Sequence, residues 1–217
     1  MRNGQKNSDE FFGNGAASAQ DYFRELTRII PQLPYGAIDS IISFLLQTFA
    51  EERTVFVFGN GGSAASASHM MVDMNKGAAE GLERKLPKVI ALTDNVPLLT
   101  AWANDSSYEH VFSEQLKNFI QRGDAAFAIS ASGNSPNVVL ALATAREHGA
   151  ATIGVTGHQG GKMKPLCDIC AVVPSDNTQM IEDMHHAILH SVFTAVRERL
   201  RSVRPAAMAT TAGQSQK

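Results

Sequence analysis

The sequence predicts an α/β protein: a three-layer, doubly wound, mainly parallel sheet, preceded by N-terminal helices. Three observations carry this expectation. Five short runs, Thr54–Phe58, Lys88–Leu92, Ala125–Ile129, Thr152–Thr156 and Ile169–Val173, are nearly continuous in apolar residues, as strands covered on both faces must be. Helical stretches of ten or more residues lie between most of them, the alternation of a parallel sheet. The polar, glycine-rich segments follow the strands, where open parallel sheets gather their ligands.

Taken in order, residues 1 to about 18 mix Gly, Asn, Ser, Gln and Ala without apolar periodicity and are expected to form a flexible tail. Asp21–Ile30 reads as a helix ended by Pro31 and Pro34. Ala37–Glu51 reads as a second, with a stripe of Ile38, Ile41, Ile42, Leu45, Leu46 and Phe49. One domain is expected over residues 19–203, with a second tail at 204–217. A length of 217 residues suits one domain with a sizeable core, and 44% hydrophobic content is that of an ordinary globular protein. The formal charge of −2, without a basic block, argues against direct nucleic-acid binding. No apolar run is long enough to cross a bilayer and no signal-peptide core opens the chain, so a cytoplasmic protein with no membrane contact is expected. The two cysteines, Cys167 and Cys170, are spaced C-x-x-C, but a redox pair usually opens a helix and a zinc ribbon needs a second pair. Two buried or half-buried free thiols are expected.

The first strand breaks into Gly59-Asn60-Gly61-Gly62-Ser63 and continues as an alanine-rich helix carrying His69 and, one turn on, Asp73. A helix N-terminus of this kind presents unpaired N–H groups and a positive dipole end, a ready anion site. The turn fits neither common nucleotide fingerprint, and a packing role for its glycines stands beside phosphate binding. The third strand runs into Ser130-Ala131-Ser132-Gly133-Asn134-Ser135, followed by Pro136 at the start of a helix from Val138 to His148. Pro at N1 would put Ser135 at the N-cap, so the serines either cap the helix or receive an oxyanion. Met70, Met71 and Met74 are expected to pack core or interface. His185 reads as structural and His186 as solvent-facing; His110, His148 and His158 show no pattern.

The ordered set Gly59-Asn-Gly-Gly-Ser63 with His69, Ser130-x-Ser-Gly-Asn-Ser135, Thr156-Gly-x-x-Gly-Gly161 and Ile181-Glu-Asp-x-His185 resembles the SIS (sugar isomerase) domain family. Within it the chain is similar, from about residue 37 to 200, to the phosphoheptose isomerases. The resemblance implies a five-stranded parallel sheet, a homotetramer, and isomerisation of sedoheptulose 7-phosphate to an aldose heptose 7-phosphate. It implies that Ser130, Ala131, Ser132 and Ser135 hold the sugar phosphate, and that Asn60, Gly61, Gly62, Asn104, Asp105 and Glu182 line the substrate. It places a metal-binding, catalytic set, with one zinc ion per subunit, at His69, Asp73, Glu182 and His190. Asp73 stands where the family has Glu, and Glu182 where it has Gln. Among these, Asp73, Glu182 and His190 are the expected catalytic residues. Glu182 and His190 lie eight residues apart, about 12 Å along a helix, too far to share an ion from one straight helix. The resemblance therefore implies sites at subunit interfaces. The alternative is a non-catalytic SIS protein, a sugar-phosphate sensor or a regulator of the DnaA initiator-associating type.

Overall fold

Five strands pair into one wholly parallel sheet in the computed structural model, which describes residues 18–81 and 87–202. They are β1 (Thr54–Gly59), β2 (Lys88–Ala91), β3 (Ala125–Ser130), β4 (Ala151–Thr156) and β5 (Ile169–Val172), in the order β2-β1-β3-β4-β5. Each expected strand is present with its ends within one residue. The tails expected at 1–18 and 204–217 lie, but for Ser18, outside the described residues.

The described residues divide into two compact units, one ending at Leu33 and the other beginning at Pro34. In the first, α1 (Ala19–Ile29) opens with a reciprocal capping box between Ser18 and Asp21, which satisfies two of its orphan N–H groups. Arg24 pairs with Asp21 and Arg28 with Glu25, one turn apart on its exposed face.

The second unit holds the sheet between two helical layers. On one side α2 (Tyr35–Ala50), α3 (Gly62–Val72) and α7 (Thr178–Ser202) pack together. On the other lie α4 (Val96–Asp105), α5 (Ser113–Phe119) and α6 (Pro136–Glu147). The predicted stripe of α2 is buried at Ile38, Ile41, Ile42, Leu45 and Phe49. Phe56, Phe58, Phe112, Leu116, Val138, Leu142 and Met163 form the core beneath the second layer. Each such side chain, fully buried, contributes about 1.5–3 kcal/mol. Met70 and Met74 are buried, as a packing role requires. Cys167 and Cys170 are free and half-buried. Burial and a hydrogen bond to Cys170 push the Cys167 thiol up, and that same bond holds Cys170 below its ordinary value.

Two features of this frame position the site. The crossover direction reverses at β1, which sits between β2 and β3, and such a reversal opens a crevice beyond the strand ends. In register, Gly59 pairs with Ile129 and Ser130 with Thr156, so the loops after β1, β3 and β4 leave the sheet side by side. A Cβ on Gly59 would stand 2.6 Å from the Ile129 carbonyl oxygen and 2.7 Å from Ser63 Cβ. The strand can enter its turn this close to β3 only because that residue is glycine.

Candidate functional site

The glycine loop is built on a residue with left-handed backbone. Gly61, at φ +54°, takes the N-cap position of α3, and no side chain caps that helix. What approaches its first turn is the Glu182 carboxylate of α7: a Cβ on Gly62 would lie 3.3 Å from Glu182 Oε2 and 3.4 Å from Oε1. A carboxylate at a helix N-terminus is favourably placed against the dipole. A phosphate in the same position would meet that negative charge, which favours the serine loop as the phosphate site.

From Gly62 onward α3 and α7 rise together as a ladder of polar contacts. Gly62 faces Glu182; one turn up, Ser66 Oγ lies 3.4 Å from His186 Nδ1. At the top, His69 and Asp73 meet His190. The spacings 62/66/69/73 and 182/186/190 are those of single helix faces. His186 is therefore not solvent-facing as the sequence suggested. It is half-buried, with its ring 5.9 Å from that of His69 and 6.0 Å from that of His190.

His69, Asp73 and His190 form a group able to hold a metal ion. His69 Nε2 is 3.3 Å from His190 Nε2 and 3.5 Å from Asp73 Oδ2, and His190 Nε2 is 3.9 Å from the same oxygen. Ligands about 2.0–2.2 Å from a tetrahedral ion stand roughly 3.4 Å from one another. The three donors are thus close to where an ion needs them, and two imidazoles with a carboxylate suit zinc. Their side chains are 48%, 21% and 52% exposed for His69, Asp73 and His190. After Val72 the helix continues as a π-helical segment, Asp73–Ala78, beginning at Asp73 itself. Gly77 lets the Phe193 ring of α7 lie against it, since a Cβ there would be 2.8 Å from the ring.

On the other side of the crevice, the serine loop is knitted to the loop after β4. The Gly157 amide donates to the Ala131 carbonyl at 3.0 Å, that of Met163 to Gly133 at 2.9 Å, and that of Lys162 to Asn134 Oδ1 at 3.0 Å. Ser130 is buried and its Oγ accepts from the Gly133 amide, while Ser132 is exposed and accepts from Asn134. Ser135 occupies the N-cap of α6, but its hydroxyl makes no capping bond.

Asn60 joins the two loops. Its side-chain amide exchanges hydrogen bonds with that of Asn137, at 2.9 and 2.8 Å, and its Oδ1 also accepts from the Tyr108 hydroxyl at 3.1 Å. Neither Asn137 nor Tyr108 stood out in the sequence. Asn137 sits one residue after a helix-opening proline and is buried, a combination that could have marked it. Asn104 and Asp105 close the last turn of α4, with Asn104 Nδ2 donating to Asp105 Oδ1 at 2.8 Å.

His185, beside the ladder, points into the core and is 1% exposed. Neither ring nitrogen has a well-formed partner. Burial pushes its imidazole down to about 4, the Thr156 backbone offsetting part of that shift and His186 adding to it. The unfolded chain, with an ordinary imidazole near 6.5, then binds the proton more tightly. The stability His185 contributes is complete above about pH 6.5 and is lost as pH falls towards 4, on the order of 3 kcal/mol. Urea unfolding of wild type and His185→Leu, with chelator present, should show a steeper loss for wild type between those pH values. Identical pH profiles would contradict this.

A profile of the SIS domain matches residues 21–157. The chain is 42% identical over 155 residues to the phosphoheptose isomerase of Aliarcobacter butzleri, covering 71% of this chain and 81% of that one. It is 38% identical over 183 residues to that of Pelobacter propionicus, covering 84% and 94%. Among solved structures, the phosphoheptose isomerase of Neisseria gonorrhoeae superposes with a TM-score of 0.76 at 29% identity, covering 82% of this chain and 96% of that one. The Vibrio vulnificus NanR protein, at 14% identity and a TM-score of 0.61, shares the fold. The chain belongs to the SIS-domain family and, within it, to the phosphoheptose isomerases.

Proposed function

We propose that the protein interconverts sedoheptulose 7-phosphate and D-glycero-D-manno-heptose 7-phosphate. The observation that carries this reading is the group of His69, Asp73 and His190, two imidazoles and a carboxylate brought together by α3, the helix that follows the glycine loop, and α7. Membership of the phosphoheptose isomerases names the substrate class. A sugar-phosphate sensor on this fold has no use for a preserved two-imidazole, one-carboxylate cluster, which favours the enzyme over the non-catalytic alternative.

The chemistry follows from the placement. Ser130, Ser132 and Ser135, with the Ala131 backbone, bind the phosphate and fix the far end of the sugar. Asn60, Gly61 and Gly62 line the reacting end, and Asn104 and Asp105 bind hydroxyls between. Aldose–ketose isomerisation moves a proton between C1 and C2 through an enediolate, and in this reading Glu182, which lies beside Gly62, takes it from C1 and returns it at C2. Such transfer is worth about 10²–10⁴-fold in rate. His69, Asp73 and His190 hold a divalent ion, zinc by their donor chemistry. When bound, it supplies positive charge where the enediolate oxygen develops.

The half-exposed ligand histidines leave the site open on one side, which suits closure by a second subunit in a homotetramer. A sedimentation dilution series showing active monomer alone would contradict that. Unpaired cysteines suit a reducing compartment, and cytoplasmic placement is proposed on that ground.

Ser132→Ala should raise KM about tenfold and leave kcat within about a factor of two, because the hydroxyl binds substrate and transition state alike. A fall in kcat with KM unchanged would remove Ser132 from the phosphate site. The activity itself is tested by turnover of sedoheptulose 7-phosphate, with the aldose product as readout.

A further inference from the structure

Asn137 is 2% exposed, in the first turn of α6, and its carboxamide faces that of Asn60 from the loop after β1. Two facing amides can exchange hydrogen bonds in either sense, because the oxygen and nitrogen ends are alike in shape. Here a backbone group decides. The Val138 amide, which also reaches the Ser135 carbonyl at 3.1 Å, lies 2.9 Å from Asn137 Oδ1. An N–H only donates, so the atom it meets is the oxygen. That oxygen accepts from Asn60 Nδ2 at 2.9 Å, and Asn137 Nδ2 donates to Asn60 Oδ1 at 2.8 Å. The Tyr108 hydroxyl donates to the same Asn60 oxygen at 3.1 Å.

Both lone pairs of Asn60 Oδ1 are then taken, and one of its two N–H groups is spent on Asn137. What this half-buried side chain has left is one N–H, which meets no protein acceptor among the described residues. The pair makes Asn60 a donor of fixed sense. An unpinned carboxamide would offer its oxygen in the same place as readily as its nitrogen.

We propose that Asn137 is a positioning residue for the isomerisation: it locks the Asn60 carboxamide so that the spare N–H donates to the sugar oxygen that gains negative charge as the enediolate forms. This rests on the proposed isomerase, in which Asn60 lines the reacting end. The chemistry asks for that sense of the lock. The ketose carbonyl oxygen, and the enediolate oxygen it becomes, accept hydrogen bonds, and the charge on that oxygen grows towards the transition state. An N–H held there binds more strongly as the charge grows, whereas an amide oxygen held there would repel it. Asn137 is too deeply buried to touch the sugar and acts through Asn60. It lies two residues after Ser135, so α6 governs the reacting end as well as carrying the serine loop at its start.

The test is turnover of sedoheptulose 7-phosphate by wild type, Asn60→Ala, Asn137→Ala and the double variant, with a urea unfolding curve for each. Asn60→Ala should lower kcat about 10²–10³-fold, as loss of an oxyanion donor does. Asn137→Ala should lower kcat about 10- to 100-fold and leave KM within about threefold, since a positioned donor serves the transition state more than the bound sugar. Asn137→Asp, which keeps the size and sets oxygen against oxygen, should lose as much. In the Asn60→Ala background, Asn137→Ala should change kcat less than about twofold, because nothing is left to position. A merely structural asparagine would cost the same in both backgrounds. Substrate-free crystals of Asn137→Ala should show Asn60 in a new rotamer or spread over two. The proposal is overturned if Asn137→Ala keeps kcat, if its loss persists undiminished in the Asn60→Ala background, if Asn60 stays in place in the crystal, or if both Asn137 variants fail to fold, which would make the residue structural. An inactive wild type whose Asn60 shifts in the Asn137→Ala crystal fails the isomerase reading and leaves the lock standing; an active wild type whose Asn137→Ala variant keeps kcat fails the lock alone.

Discussion

His190→Ala should lower kcat by about 10²–10⁴-fold, the range attached to a group that serves the transition state rather than substrate binding. His190 Nε2 is the atom that meets both His69 and Asp73, so truncation opens the group from the α7 side and leaves two donors on α3 alone. The side chain is half exposed and supports no core, so the fold should stand; the variant's urea midpoint is expected to match wild type. With the phosphate held by the serine loop, as proposed, KM should change little. Steady-state turnover with a parallel unfolding curve checks both halves. Unchanged kcat would remove His190 from the site, and lost stability would recast it as a structural residue.

The second large effect is expected at Gly133, which no chemistry would single out. Its φ is +65°, a conformation that costs a side-chain-bearing residue about 1–2 kcal/mol. An added Cβ would also run into the Gly160 carbonyl, standing 2.8 Å from its carbon, and lie 2.9 Å from Thr156 Oγ1. Backbone is the obstacle on one side and a buried threonine on the other, so neither yields cheaply. Gly133→Ala should therefore destabilise the protein by about 2–4 kcal/mol. It should also part the serine loop from the loop after β4 and weaken sugar-phosphate binding more than tenfold. Isothermal titration with the substrate and thermal unfolding would measure both. Wild-type affinity in a destabilised variant would show that the phosphate site does not depend on this backbone contact.

The strands were legible because a strand covered on both faces must be apolar throughout, which β1, β3 and β4 are, whereas β2 at the sheet edge is exposed at Lys88 and Ile90. Two ends ran a residue further where pairing carries a glycine or polar residue into the ladder, at Gly59 and Ser130, while β4 begins one residue earlier, at Ala151, and β2 and β5 stop one apolar residue short, at Ala91 and Val172. The π-helical segment from Asp73 was not legible. Its Gly77 lies against the Phe193 ring, a contact between residues far apart in sequence. His186 was misread for a related reason. Following His185, it could face core, solvent or another helix, and only the parallel rise of α3 beside α7 turns it towards Ser66 and His69. The asparagine pair of Asn60 and Asn137 depends in the same way on the adjacency of β1 and β3. Local pattern identifies the elements, whereas the site is made by which elements become neighbours.

The measurement that bears most directly on the central claim is turnover of sedoheptulose 7-phosphate by purified wild type and His69→Ala, each with and without zinc, following the aldose phosphate. The account predicts product from wild type, more of it with zinc, and none above background from His69→Ala. Wild type that binds the ketose phosphate and forms no aldose would contradict it.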